Sequence, residues 1–190
     1  MKLTVESIRG PLARATPLTL DDPGLVPAGV MLLLFPKNGE LCALLNKRTN
    51  LVEHHKGEIS FPGGAQDPED TTILDTALRE THEEMGVKRE DVDILGRLDQ
   101  VSTGSRFSIT PFVGAIPGSY AFKASRIEVA KVLEVPLALL LDRANWREET
   151  RFEQRGLATR YAYAFGDHLI YGATARILTQ FLGLIAPASR

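Results

Sequence analysis

A single cysteine, Cys42, stands in the chain, so no internal disulfide and no cysteine-built metal cluster can form. Its place in the apolar run Leu41-Cys42-Ala43-Leu44-Leu45 assigns it to the core as a small hydrophobe. A basic excess is missing too: 22 lysines and arginines face 24 aspartates and glutamates, a formal net charge of -2. Nothing in that balance drives non-specific binding to nucleic acid or to an anionic membrane. No apolar run approaches the roughly 18 residues that a spanning helix needs. Lys2 and Glu6 are followed by no long apolar stretch of the secretory kind, and Pro187-Ala188-Ser189-Arg190 is not an SKL-type peroxisomal address. Internal repeats and low-complexity segments are also lacking. The reading is a soluble cytoplasmic protein without nucleic-acid or membrane partners.

What remains is an ordinary globular composition, 44% hydrophobic and 24% charged over 190 residues, enough for one substantial core. Residues 1–27 are rich in proline, threonine and aspartate without a sustained period, and are expected to form an irregular N-terminal arm. Residues 28–190 are expected to form a single domain. Two apolar runs around Pro36-Lys37-Asn38-Gly39 predict strand, turn and strand from Ala28 to Asn46. Further strands are expected near Asp93 to Val101, Thr110 to Ile116, Glu128 to Glu134 and Arg160 to Phe165. Helices are expected at Pro136 to Leu141 and Gly172 to Ile185. Strands interleaved with helices indicate α/β, or α+β in schemes that separate the two.

The clearest helix runs from Asp70 to Gly86. Leu74, Ala77, Leu78, Thr81 and Met85 share one arc, and Glu80, Glu83 and Glu84 fall on the roughly opposite one. Asp67-Pro68-Glu69-Asp70 supplies capping groups at its start, and Gly86 suits its end. Glutamates at i, i+3 and i+4 repel one another by a few tenths of a kcal/mol per pair, so a cation is the natural compensating partner.

RETHEEMGV, Arg79 to Val87, with Phe61-Pro62-Gly63-Gly64 before it, resembles the Nudix box, GX5EX7REUXEEXGU. Arg79, Glu80, Glu83, Glu84, Gly86 and Val87 match; Thr81 replaces the aliphatic residue, and the Gly64-to-Arg79 spacing is one residue longer, leaving Asp70 as counterpart of the first glutamate. Residues 44 to 64, LLNKRTNLVEHHKGEISFPGG, are similar to LLTXRSX3RX3GX3FPGG of the coenzyme A pyrophosphatase group. Leu44, Leu45, Arg48, Gly57 and Phe61 to Gly64 are in register, whereas Asn46, Thr49 and Glu53 replace threonine, serine and the second arginine. The longer box loop, Thr110-Pro111 and Tyr171-Gly172 also resemble that group.

The resemblance implies a Nudix fold, an α/β/α sandwich around a mixed β-sheet, and metal-dependent hydrolysis of a diphosphate with Mg²⁺ or Mn²⁺. Glu80 and Glu84, one turn apart, are the expected direct ligands. Glu83 completes the coordination or accepts the proton of the attacking water. Arg79 orients the carboxylates through charge-assisted hydrogen bonds, with phosphate contact as its other role. Gly63 and Gly64 let backbone approach metal and phosphate, and Arg48 binds substrate phosphates or is an ordinary surface arginine. Lys56, with His54 and His55, offers positive charge near Glu53. The turn from Ser102 to Arg106 borders the site, and Glu128 and Glu134 are alternative bases from outside the helix. The implied substrate is coenzyme A or a derivative, cleaved to 4'-phosphopantetheine and adenosine 3',5'-bisphosphate. Glu53 keeps a second class open, another nucleoside diphosphate compound such as ADP-ribose, NADH or a dinucleoside polyphosphate. A third reading is an inactive Nudix-fold binding module, against which the three intact glutamates speak. The oligomeric state is left open, a homodimer included.

Overall fold

The computed structural model describes residues 3–51, 56–153 and 156–186. Its centre is a mixed sheet. β1 (Val26–Lys37) pairs antiparallel with β2 (Glu40–Arg48) through the turn at Asn38-Gly39, and β2 continues to β3 (Ile59–Ser60). β4 (Gly63–Ala65) folds back along the first residues of β1. Next come α2 (Ile73–Met85), preceded in the chain by α1 (Val5–Arg14), and then β5 (Asp93–Arg97), β6 (Val101–Ser102) and β7 (Phe107–Ala115). β7 runs parallel to β1, and every other pairing in this sheet is antiparallel. β8 (Val129–Pro136) joins β2 and leads into α3 (Leu137–Leu141). A second sheet of β9 (Trp146–Glu153), β10 (Gly156–Phe165) and β11 (His168–Ile170) precedes α4 (Gly172–Ile185).

Strand alternation explains the layering. Leu32 and Leu34 of β1 join Ile8 and Leu12 of α1, Leu137 and Leu140 of α3, and Leu178 and Phe181 of α4. Met31, Leu33 and Phe35, one step out of phase, join Ala77, Leu78 and Met85 of α2 on the opposite face. A strand buried on both faces needs a nearly continuous apolar run, which is how Val30 to Phe35 reads. The result is an α/β/α sandwich around a mixed sheet, the fold class expected. No helix among the described residues is long and apolar enough to cross a membrane.

The N-terminal segment departs from its expected irregularity. Thr4 and Ser7 close a reciprocal capping box at the start of α1, and Ile8 and Leu12, one turn apart, are buried. Pro11 within the helix and the short apolar pair hid the period. The expected strand from Asp93 to Val101 divides into β5 and β6, because Leu98 to Gln100 turn to bond other parts of the chain: Leu98 N–H to the Pro111 carbonyl and Gln100 N–H to the Leu18 carbonyl. β9, with the charged sequence WREETRFE, and the three-residue β11 carry no clean alternation and were not expected as strands.

Candidate active site

α2 begins three residues later than its acidic run suggests. Thr72 is the N-cap: its hydroxyl accepts from Asp75 N–H, and the Asp75 carboxylate accepts from Thr72 N–H. Asp70 is thereby free of capping. Its two oxygens take Nε and Nη2 of Arg79 at 3.0 and 2.9 Å, and this fork holds the carboxyl far below the ordinary carboxylate range. The same guanidinium reaches onward through Nη1, to Glu80 Oε1 at 2.9 Å and to Glu83 Oε2 at 3.1 Å. Arg79 thus links the counterpart of the box's first glutamate to two of the three helix glutamates.

Those three are not equivalent. The Glu83 side chain is 53% exposed, Glu80 17% and Glu84 only 1%. Glu84 turns away from the solvent side and packs toward β2, so the simple division of α2 into a packing face and a polar face fails at this residue. Asn46 Nδ2 donates to Glu84 Oε2 at 2.7 Å, and Arg48 Nη1 donates to Oε1 at 3.3 Å. Burial raises the Glu84 pKa to about 8; Arg48 opposes the shift, and the charges of Glu80 and Glu128 add to it. Burial likewise raises Glu80, with Arg79 opposing and Glu83 and Glu128 adding.

The glycines of the Phe61–Gly64 turn are explained by what a side chain would strike. A Cβ on Gly64 would lie 2.5 Å from Glu80 Oε1, so its absence lets that carboxylate rest against β4. Gly63 has φ 153, and a Cβ there would lie 2.4 Å from the Gly29 carbonyl oxygen on the paired strand.

Beside this turn opens a cavity of about 540 Å³. Arg48, Ser60, Gly63 and Gly64 form one wall, the turn from Ser102 to Ser105 another, and the first turn of α4 a third. Val30, Phe61, Phe107 and Ile109 make it apolar within, and Arg160, Tyr171 and Arg176 add polar groups. Of the substrate-side residues expected from sequence, Arg48, Gly63, Gly64 and the Ser102–Ser105 stretch meet here. Lys56 is exposed in the turn before β3 and is not part of the lining. Glu53, His54 and His55 lie outside the described residues. The alternative bases separate: Glu134 pairs with Lys37 at the β1–β2 turn, whereas Glu128, in the turn just before β8, where its carbonyl accepts from Thr49 N–H, is near enough to act on the charges of Glu80 and Glu84. In the sequence Asn46 stands out only as a departure from threonine. The available signal was a polar residue directly following five apolar ones in a strand.

Among the described residues, no three acidic, histidine or cysteine side chains close around one point, because Arg79 holds Glu80 and Glu83 while Asn46 and Arg48 hold Glu84. The chemistry nonetheless fits a hard divalent cation. The donors are carboxylate oxygens, the ligand type such ions take, and two of them are raised in pKa by burial and by like charge that a cation would offset.

The model of the NUDIX domain family matches residues 25–137, which include every element of this site except those of β10 and α4. The Nudix hydrolase NudL of Photorhabdus laumondii, a protein of uncharacterised activity, is 39% identical over 140 residues, 72% of this chain and 73% of its own. Among solved structures, a MutT/nudix family protein from Enterococcus faecalis aligns with a TM-score of 0.57 at 16% identity, covering 96% of this chain and 74% of that one. The Ap4A hydrolase of Caenorhabditis elegans aligns at 0.51 and 18% identity, covering 58% and 80%. Sequence match, carboxylate helix and shared fold agree, and the chain belongs to the Nudix family of hydrolases, which act on pyrophosphate-containing substrates and generally use divalent metal ions.

Proposed function

We propose that this enzyme hydrolyses the diphosphate of coenzyme A and its derivatives, giving 4'-phosphopantetheine, acylated when the substrate is a thioester, and adenosine 3',5'-bisphosphate. The observation that carries the reading is the segment from Leu44 to Gly64: it is similar to the coenzyme A pyrophosphatase signature, and its residues Arg48, Ser60, Phe61, Gly63 and Gly64 line the cavity beside the carboxylates. Arg48 adds support, since its side chain lines the cavity and donates to Glu84 beside it.

Glu80 and Glu84 would hold Mg²⁺ or Mn²⁺, with Glu83 beside them. The ion, when bound, neutralises phosphate charge and lowers the pKa of water. The protein's own groups do the rest. Arg79, anchored by Asp70, fixes the Glu80 carboxylate, and Gly64 leaves room for it. Arg48 receives the diphosphate at the cavity wall, and the apolar interior excludes water from the rest of the substrate. Water attacks one phosphorus, the bond from that phosphorus to the bridging oxygen breaks, and the other phosphate leaves. The water's proton passes to a carboxylate, for which Glu83 is suited because it is exposed and can hand the proton to bulk solvent.

Glu53, standing at the signature's second arginine, favours a second reading in which the substrate is ADP-ribose, NADH or a dinucleoside polyphosphate. Rates for coenzyme A, ADP-ribose, NADH and diadenosine tetraphosphate with Mg²⁺ or Mn²⁺ separate the two. The first requires kcat/KM for coenzyme A at least about tenfold above the others, a difference of about 1.4 kcal/mol in transition-state binding. Intact coenzyme A beside cleaved ADP-ribose would overturn it.

A further inference from the structure

Asn46 is fully buried where β2 leaves its apolar run. Its amide is satisfied on both sides. Nδ2 donates to Glu84 Oε2 at 2.7 Å, and Oδ1 accepts from Ser60 Oγ, also at 2.7 Å. Strand pairing sets this arrangement, because Asn46 and Ser60 face each other across β2 and β3. The amide's orientation follows from its neighbours. With Glu84 ionised, as a metal ligand must be, the carboxylate can only accept, which matches the nitrogen facing it, while the serine hydroxyl donates to the oxygen. Two residues along the same strand, on the same side, Arg48 holds the other oxygen of the same carboxylate. Glu84, the one glutamate of the three that α2 buries, is therefore clasped at both oxygens from β2, and the polar chain continues through Ser60 to the cavity wall.

We infer that Asn46 is a positioning residue for the metal-binding carboxylate: it aims Glu84 and fixes its rotamer, with Ser60 fixing Asn46 in turn. The inference rests on the proposed reading of Glu84 as a ligand. It gives part of the segment that resembles a substrate signature a different task, since Asn46 reaches the carboxylate helix and touches the cavity only through Ser60. A bare packing role for the amide would require only that its polar atoms be satisfied. A positioning role requires in addition that metal affinity depend on its donor.

Mn²⁺ titration of the purified protein by calorimetry, with the melting temperature recorded in parallel, separates these roles. Asn46→Leu removes both bonds at similar volume and keeps the core apolar, and is expected to weaken Mn²⁺ binding about tenfold or more, the scale on which hydrogen-bond partners of ligating groups act. Asn46→Thr, which supplies a hydroxyl donor and acceptor in place of the amide, is expected to recover most of that loss. Glu84→Gln gives the reference for a lost ligand. A Leu variant that melts lower but binds Mn²⁺ like the wild type, while Glu84→Gln does not, overturns the positioning role and leaves Glu84 as a ligand. Unchanged Mn²⁺ affinity in Glu84→Gln overturns both. With coenzyme A as substrate, the Leu variant should need more Mn²⁺ for half-maximal rate, with KM for coenzyme A unchanged at saturating metal. A wild type inert toward coenzyme A refutes the substrate alone, and the Mn²⁺ titrations still decide the role of Asn46.

Discussion

Glu84→Gln should abolish most turnover and yet make the metal-free protein harder to unfold at neutral and alkaline pH. The glutamate titrates near 4.5 when unfolded, and burial raises it to about 8 in the folded protein. A group raised on folding contributes stability that is fully present below its unfolded pKa and is lost as pH rises through the folded value. Between pH 4.5 and about 8, then, the metal-free wild type progressively loses what the buried carboxyl contributes when protonated. At about 1.4 kcal/mol per unit, a shift of this size has a ceiling of about 5 kcal/mol. Water penetration and relaxation around Arg48 and Asn46 bring the expected effect to about 2 kcal/mol. Glutamine keeps the shape and never ionises, so the variant should lack this slope.

Urea unfolding in EDTA at pH 5, 7 and 9 measures it: the stability of the variant relative to wild type should rise by about 2 kcal/mol from pH 5 to 9. Saturating Mn²⁺ should then reverse the order at pH 8, since ligand at 100 times its dissociation constant adds about 2.7 kcal/mol to a protein that binds it only when folded. Parallel pH dependences for the two proteins in EDTA would refute the claim that Glu84 is a destabilised buried charge.

Gly64→Ala should reduce kcat by about tenfold or more with the fold retained, because the added methyl sits 2.5 Å from Glu80 Oε1 and must push that carboxylate aside. Circular dichroism and steady-state kinetics check the pair of outcomes, and a variant with wild-type kcat would show that Glu80's resting position is irrelevant to catalysis. Thr72→Ala removes the N-cap of α2 without touching the carboxylates, and should cost about 1 kcal/mol of stability with kcat unchanged. Denaturant titration tests that value, and a loss below about 0.3 kcal/mol would mean that Asp75 alone sustains the cap.

The legible parts of the sequence were those in which one residue pattern served one local purpose. α2 and α4 carry apolar residues at helical spacing, and β1 an apolar run bounded by a turn, so their bounds fall within a few residues of expectation. α1 leaves no signal in the sequence because two buried residues and a proline make no period, and the cap at Thr72 lies beyond the Asp67–Asp70 run that offers the expected capping groups. The carboxylate helix could be found as a charged face, but its internal ranking could not. Which glutamate is buried depends on β2 crossing behind it, and the pairings that bring Asn46 and Arg48 to Glu84 join residues 36 to 38 positions apart.

That crossing also bears on how the substrate is chosen. If a segment fixes the carboxylates and lines the cavity at once, a change in it alters metal geometry and substrate fit together, and its resemblance to one group's signature speaks for both. Arg48 does this directly, donating to Glu84 through Nη1 while lining the cavity, and Asn46 does it through Ser60. Substrate choice with less of this coupling falls to walls that do not touch the carboxylates. The turn from Ser102 to Ser105 and the first turn of α4 are such walls: they complete the cavity from sequence positions far from α2, and side chains there can vary without moving Glu80 or Glu84. Exchanges in those two stretches should therefore shift preference among diphosphate substrates while metal affinity stays constant. Exchanges at Arg48, which lines the cavity and donates to Glu84, should move the two together.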